Sequence, residues 1–166
     1  MQTLQKRTVK RRGFTIIELL VVISIIAVIA TFAIGAAMKS MQQSRRKRVS
    51  ATIKVLEMAL MSYRAQENKW TFDLSDMQHD NNSDFYFVDG KNNAVVFKKL
   101  LSSTTKYLDG SGLYTAVNGR MTVKQALEKG LTDIPIGYPD PGDPNTFKYF
   151  TVRYYPLTDR VVVTTP

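Results

Sequence analysis

One carboxylate, Glu18, sits in a 25-residue stretch from Phe14 to Met38 that holds no other ionisable side chain. A charge inside a membrane helix is costly and by default marks a functional partner. The bland alternative is a carboxyl close enough to the interface to stay wet or protonated. Just upstream, Gly13 has no side chain, so the backbone there can lie extended and close to the catalytic groups of a protease. Taken singly, Gly13 would read as a loop glycine. Phe14 brings an aromatic ring to the membrane interface. Chemistry of the enzymatic kind finds little footing elsewhere. The 166 residues include one histidine and no cysteine, and they carry no Gly-x-Ser-x-Gly, no phosphate-binding glycine loop and no His-Glu-x-x-His. No carboxylate spacing points to general acid–base work. The expectation is a structural protein and not an enzyme.

The element that positions Glu18 must be a helix. At about 1.5 Å per residue, 25 residues cross a hydrocarbon core of roughly 30 Å with some tilt, and a lone segment in lipid can satisfy its backbone only as a helix. A secretory signal peptide cut after Ala36 or Ala37 is the competing account, but its apolar core is ordinarily about 7–15 residues and has no use for an internal acid. Beyond Met38, Val49, Ile53, Leu56, Leu60 and Tyr63 recur at alternating spacings of four and three, which draws one apolar stripe along an amphipathic helix ending near Asn68. A coiled coil would want more heptads than this stripe supplies. Gly35 weakens one turn of the membrane half without fixing a kink.

Arg11-Arg12-Gly13-Phe14-Thr15-Ile16-Ile17-Glu18, continuing as Leu19-Leu20-Val21-Val22-Ile23, resembles the amino-terminal signature of type IV prepilins and the pseudopilins of type II secretion. The resemblance reaches to about Asn68. It implies that a membrane prepilin peptidase cuts between Gly13 and Phe14 on the cytoplasmic side and N-methylates Phe14. It also implies a pilin-like α+β fold, in which the long amino-terminal helix packs on a small antiparallel β-sheet domain. In a bundle of such helices, Glu18 would be stabilised by the Phe14 ammonium of an adjacent subunit, and would so set the axial register of incoming copies. Gly35 stands where the family commonly has a kinking proline. Family minor subunits sometimes lack the acid, so its presence points to a body subunit.

Four regions follow: a cleaved leader, 1–13; a transmembrane half-helix, 14–38; an amphipathic half-helix, 39–68; and an α+β head, 69–166. The leader bases Lys6, Arg7, Lys10, Arg11 and Arg12 favour a cytoplasmic amino terminus, although Lys39 and Arg45-Arg46-Lys47-Arg48 make the other flank equally basic. The expected address is the bacterial inner membrane, single-pass, with the head extracytoplasmic and later in a filament. The formal charge of +9 is partly leader; without those five bases, 18 Lys and Arg face 14 Asp and Glu, a modest +4 that is no nucleic-acid signature. Expected partners are prepilin peptidase, copies of the chain and other pseudopilins, the inner-membrane assembly machinery and membrane lipid.

In the head, Asp84 to Val88 reads as a strand ended by Asp89-Gly90, and Ala94 to Leu101 as a short helix. Thr122 to Gly130 reads as a helix with Thr122 as cap and Gly130 as stop. Thr146 to Tyr155 and Arg160 to Thr165 are strand candidates forming a hairpin across Pro156-Leu157-Thr158-Asp159. Without cysteine, the disulfide of many pilins cannot form. Some pseudopilins carry a calcium loop in its place, and Tyr138 to Asn145 resembles their Asp-Pro-rich segment. Asp140, Asp143 and Asn145 are thus the calcium candidates, against the reading of a proline-stiffened turn that needs no cofactor. The acidic tract Asp73, Asp76, Asp80, Asp84 and Asp89, with His79, reads as a solvated loop that could face Arg45 to Arg48 of a neighbour, or less simply as a metal site. Two rival functions remain open. A DNA-uptake filament would need an exposed basic and aromatic patch, for which Lys98, Lys99 and Lys106 near Tyr107 are the candidates. The other is a membrane-tethered or secreted binding domain that never polymerises.

Overall fold

The computed structural model describes residues 13–79, 81–102, 107–117 and 119–166. The leader bases, Asp80 and Lys106 lie outside them. Helix α1 (Ile16–Glu67) begins one residue after Thr15. It contains no proline, and it ends where Asn68 turns left-handed at φ 52°. Asparagine tolerates that conformation better than most residues, and Arg64 Nη1 donates to its Oδ1 at 3.1 Å to hold the stop. Internal packing divides the chain into two compact units, one up to Met41 and one from Gln42 to Pro166.

In the second unit the apolar stripe of α1 is put to use. Leu56, Leu60 and Tyr63 are buried, while Val49 and Ile53 are half-buried against the same core. The head adds strands β1 (Gln78–His79), β2 (Tyr86–Val88), β3 (Tyr114–Thr115), β4 (Met121–Thr122), β5 (Gly137–Pro139), β6 (Phe147–Tyr149), β7 (Thr151–Tyr155) and β8 (Arg160–Thr164). Helices α2 (Ala94–Ser102) and α3 (Val123–Glu128) lie between them in the chain. Helix α2 turns Val96, Phe97 and Leu100 inward. Helix α3 starts on a reciprocal cap: Gln125 N–H donates to Thr122 Oγ1 at 3.2 Å and Thr122 N–H to Gln125 Oε1 at 3.0 Å. Gly130, at φ 78°, ends that segment as expected.

The class is α+β, with two antiparallel four-stranded sheets, ordered β1-β2-β7-β8 and β4-β3-β5-β6. The antiparallel head anticipated above is thus built from two sheets. The Thr146–Tyr155 strand is in fact two strands, β6 and β7, which belong to different sheets and part at Phe150. Phe150 is fully buried, and its N–H donates to Ile136 O at 3.2 Å. Buried Asn93 completes the corner: its Nδ2 donates to Ile136 O and Phe150 O, both at 2.8 Å, and its Oδ1 accepts Ile136 N–H at 2.9 Å. One amide thus satisfies three backbone groups where the chain changes sheets, groups that would each be costly to bury unpaired. The β7–β8 hairpin forms as read, in register from Thr151↔Thr164 to Tyr155↔Arg160. At its tip Asp159, at φ 46°, accepts from Trp70 Nε1 at 2.7 Å, Tyr154 Oη at 3.0 Å and Arg64 Nη2 at 3.1 Å.

Candidate processing and assembly site

Gly13 lies in exposed, non-helical chain, and a Cβ built on it would have no heavy atom within 4 Å. Among the described residues nothing therefore asks for glycine at this position. Phe14 is 82% exposed. The two residues stand side by side and accessible, as a cleavage junction requires.

Glu18 is held by a residue that sequence reasoning passed over. Thr15 N–H and Thr15 Oγ1 donate to Glu18 Oε2 at 2.9 and 3.0 Å, and Glu18 N–H donates back to Thr15 Oγ1 at 3.2 Å. Leu19 N–H closes the first turn on Thr15 O at 3.2 Å. This is a capping box, and its signal, Thr-x-x-Glu ahead of an apolar run, is plain in the sequence. The carboxylate also sits at the positive end of the helix dipole, where a negative charge is favoured. Both donors reach Oε2; among the described residues Oε1 accepts no hydrogen bond. The cap leaves that oxygen free to meet a cation from outside the chain.

From Ile16 onward the helix shows its apolar side chains to the surroundings: Ile16, Leu20, Ile26, Phe32 and Ile34 are each 58% exposed or more. It is one helix long and apolar enough to cross a membrane. The hydroxyls within it are turned inward on the backbone, Ser24 Oγ to Leu20 O and Thr31 Oγ1 to Ala27 O, each at 2.8 Å. Neither hydroxyl brings an unmet donor into lipid. At Gly35 the segment remains helical.

Residues 9–34 match the family model described as the prokaryotic N-terminal methylation motif. This is the type IV prepilin-like signature, and it covers Gly13, Phe14 and Glu18 together. The motif supports a type IV pilin-like protein processed by prepilin peptidase, a class that is structural and not enzymatic. No curated protein and no solved structure matches the chain.

The secondary candidates from the sequence are engaged within the head. Asp140 pairs with Lys148 Nζ at 2.6 Å and accepts Gly142 N–H at 2.9 Å. Asp143 accepts Thr146 Oγ1 at 2.6 Å and Asn145 N–H at 3.0 Å. The Lys148 bond and the Gly142 amide hold the Asp140 carboxyl below its ordinary range, and the Thr146 hydroxyl does so for Asp143. Asn145 thus donates its backbone N–H to this loop, and both acids act as internal acceptors of the β5–β6 turn. That hairpin is tight: a Cβ on Gly137 would collide with Lys148 O. In the acidic tract, Asp73 N–H donates to Asp76 Oδ2 at 3.2 Å, and His79 rests against Tyr86 with ring centroids 4.7 Å apart. Among the described residues, no three His, Asp or Glu cluster as metal ligands. Lys98 is tied to Asp133 at 2.8 Å, and Tyr107 donates to Gln66 Oε1 at 2.9 Å. Each of the two is thus engaged within the head, and Lys106, another base of that candidate patch, lies outside the described residues.

Proposed function

We propose that the chain is a structural subunit of a type II secretion pseudopilus or a related type IV filament. It waits in the bacterial inner membrane as a single-pass protein with a cytoplasmic leader, loses residues 1–13 to prepilin peptidase, and is N-methylated at Phe14. The assembly machinery then extracts it so that its apolar helix packs among copies of itself and other pseudopilins. The observation that carries this reading is Glu18, capped by Thr15 and with Oε1 open, at the head of an uncovered apolar helix inside the methylation motif. In a filament the open oxygen takes the Phe14 ammonium of a neighbour. The region boundaries at residues 13, 38 and 68 belong to the same proposal.

Mass analysis of the mature amino terminus is the test. Methylated Phe14 is expected, and cleavage after Ala36 or Ala37 would instead make the chain a secreted protein. Because the fold makes no demand on Gly13, a Gly13→Leu chain should keep all thirteen leader residues while the head's circular dichroism stays unchanged.

One feature favours a DNA-uptake filament as the second reading. Phe87 pairs with Arg153 across β2 and β7, and Tyr155 with Arg160 across β7 and β8, so all four side chains share one face of the sheet. Phe85 joins them, 5.4 Å from Tyr155 and with the Arg153 guanidinium 5.1 Å over its ring. Aromatic rings with arginines are the ingredients of a single-strand stacking surface. Gene deletion followed by assays of secretion, transformation and surface fibres separates the two readings.

A further inference from the structure

No acid occurs between Glu18 and Glu57, while Lys39, Arg45, Arg46, Lys47, Arg48 and Lys54 all fall in that interval. In the structure Arg46, Lys47 and Arg48 are exposed and Arg45 is half-buried. Among the described residues none of these four forms an ion pair. Four consecutive helical residues project about 100° apart, so the quartet points to every side of the helix. The cavities beside it agree. Arg45 and Arg48 line one of about 550 Å³ with Val49, Val55 and Leu113, whereas Arg46 lines another of about 400 Å³ with Ile53 and Lys148. A protein partner approaching from one side would engage two of the four bases. A ligand that surrounds the helix can engage all of them.

Arg45 lies seven positions after Met38. That is at most about 25 Å of extended chain and about 10 Å as helix. The polar layer of a bilayer is roughly 5–8 Å deep on each side, and long basic side chains reach back toward it. We propose that Arg45-Arg46-Lys47-Arg48 forms a collar for anionic phospholipid headgroups in the leaflet on the head's side of the membrane. The collar rests on the membrane-subunit reading above. It supplies a reason for a flank that opposes the positive-inside tendency: the bases hold the waiting subunit at the lipid surface until it is extracted.

The test uses the full chain reconstituted in phosphatidylcholine vesicles containing a minority of phosphatidylglycerol. Electron paramagnetic resonance of spin-labelled phosphatidylglycerol and phosphatidylcholine gives the relative preference of each lipid for the protein. A juxtamembrane base contributes about 1 kcal/mol, or roughly fivefold. The wild type should therefore favour the anionic lipid at least about fivefold more than a chain carrying Arg45→Gln, Arg46→Gln, Lys47→Gln and Arg48→Gln. Leader bases contribute equally to both chains and cancel. Equal preference in the two chains overturns the collar. So does a wild-type preference that inorganic phosphate removes and ionic-strength-matched chloride does not, which would assign the bases to a free anion. Loss of self-association in the variant, with lipid preference unchanged, would assign them to the acidic tract of a second copy and equally overturns it. Resistance to alkaline extraction reads membrane insertion separately, so failure of the subunit reading is distinguishable from failure of the collar.

Discussion

The two compact units solve the problem of apolar surface in opposite ways. Between Ile16 and Met41 the large apolar side chains stand open, with Phe32 at 76% and Leu19 at 60% exposure, and the polar groups are turned onto the helix itself. From Gln42 onward the apolar groups close on one another, with Leu56, Phe97, Phe150 and Val152 fully buried. The second unit carries its own core. The first leaves its apolar surface uncovered by the chain itself, and in the proposed filament its one acid among the described residues, Glu18, bears on assembly and not on folding. Damage in the two units should therefore show up in different measurements.

Replacing Glu18 is the sharpest way to break that division. A Glu18→Gln chain should still insert, be cleaved and keep the thermal transition of its head, while filament yield measured by shearing or electron microscopy falls to near background. Normal filaments from this variant would remove the division and the subunit reading with it. The converse experiment is Asn93→Ala. This change strands Ile136 N–H and Phe150 O at the junction of the two sheets, while Ile136 O keeps only its bond from Phe150 N–H. At about 1–3 kcal/mol for each unsatisfied buried group, partly relieved by local relaxation, a loss of about 3 kcal/mol is expected in denaturant unfolding of the head, with leader cleavage unaffected.

The smallest of these effects concerns acid. The Asp159 carboxyl is held below its ordinary 3.8 by the Trp70 N–H first, then by Tyr154 and Arg64. A depressed carboxylate stabilises the fold above its unfolded value, and that contribution is lost as pH falls through the lower, folded value. The near-UV dichroism of Trp70 should therefore fade below about pH 4. Asp159→Asn, which keeps a residue suited to left-handed backbone, should flatten that dependence while leaving the neutral-pH fold in place. A wild-type profile in the variant would show that Asp159 does not govern the acid transition.

What the sequence made legible was whatever is written in neighbouring residues. The Thr122 cap and Gly130 stop of α3, the stripe from Val49 to Tyr63 and the β7–β8 hairpin all depend on contacts a few positions apart or on one periodicity. Strands β1, β3 and β4 are two residues long, too short to show alternation, and they exist because long-range partners pair with them. The division of the Thr146–Tyr155 segment follows from Asn93, 57 positions before Phe150, and no local pattern announces such a clip. Thr15 was a different kind of omission. Its capping signal is local, but the charge of Glu18 reads first as a membrane anomaly and only then as part of a helix cap.

The inward-turned hydroxyls of Ser24 and Thr31 have one more effect. They make the greasy rod chemically smooth along its length, so a neighbouring rod can slide past without breaking any polar bond. Such a shaft has no preferred stopping point of its own. In the proposed filament a single tooth at one end is then enough to decide where every sliding partner comes to rest, so that one oxygen atom per subunit sets the spacing of the whole fibre.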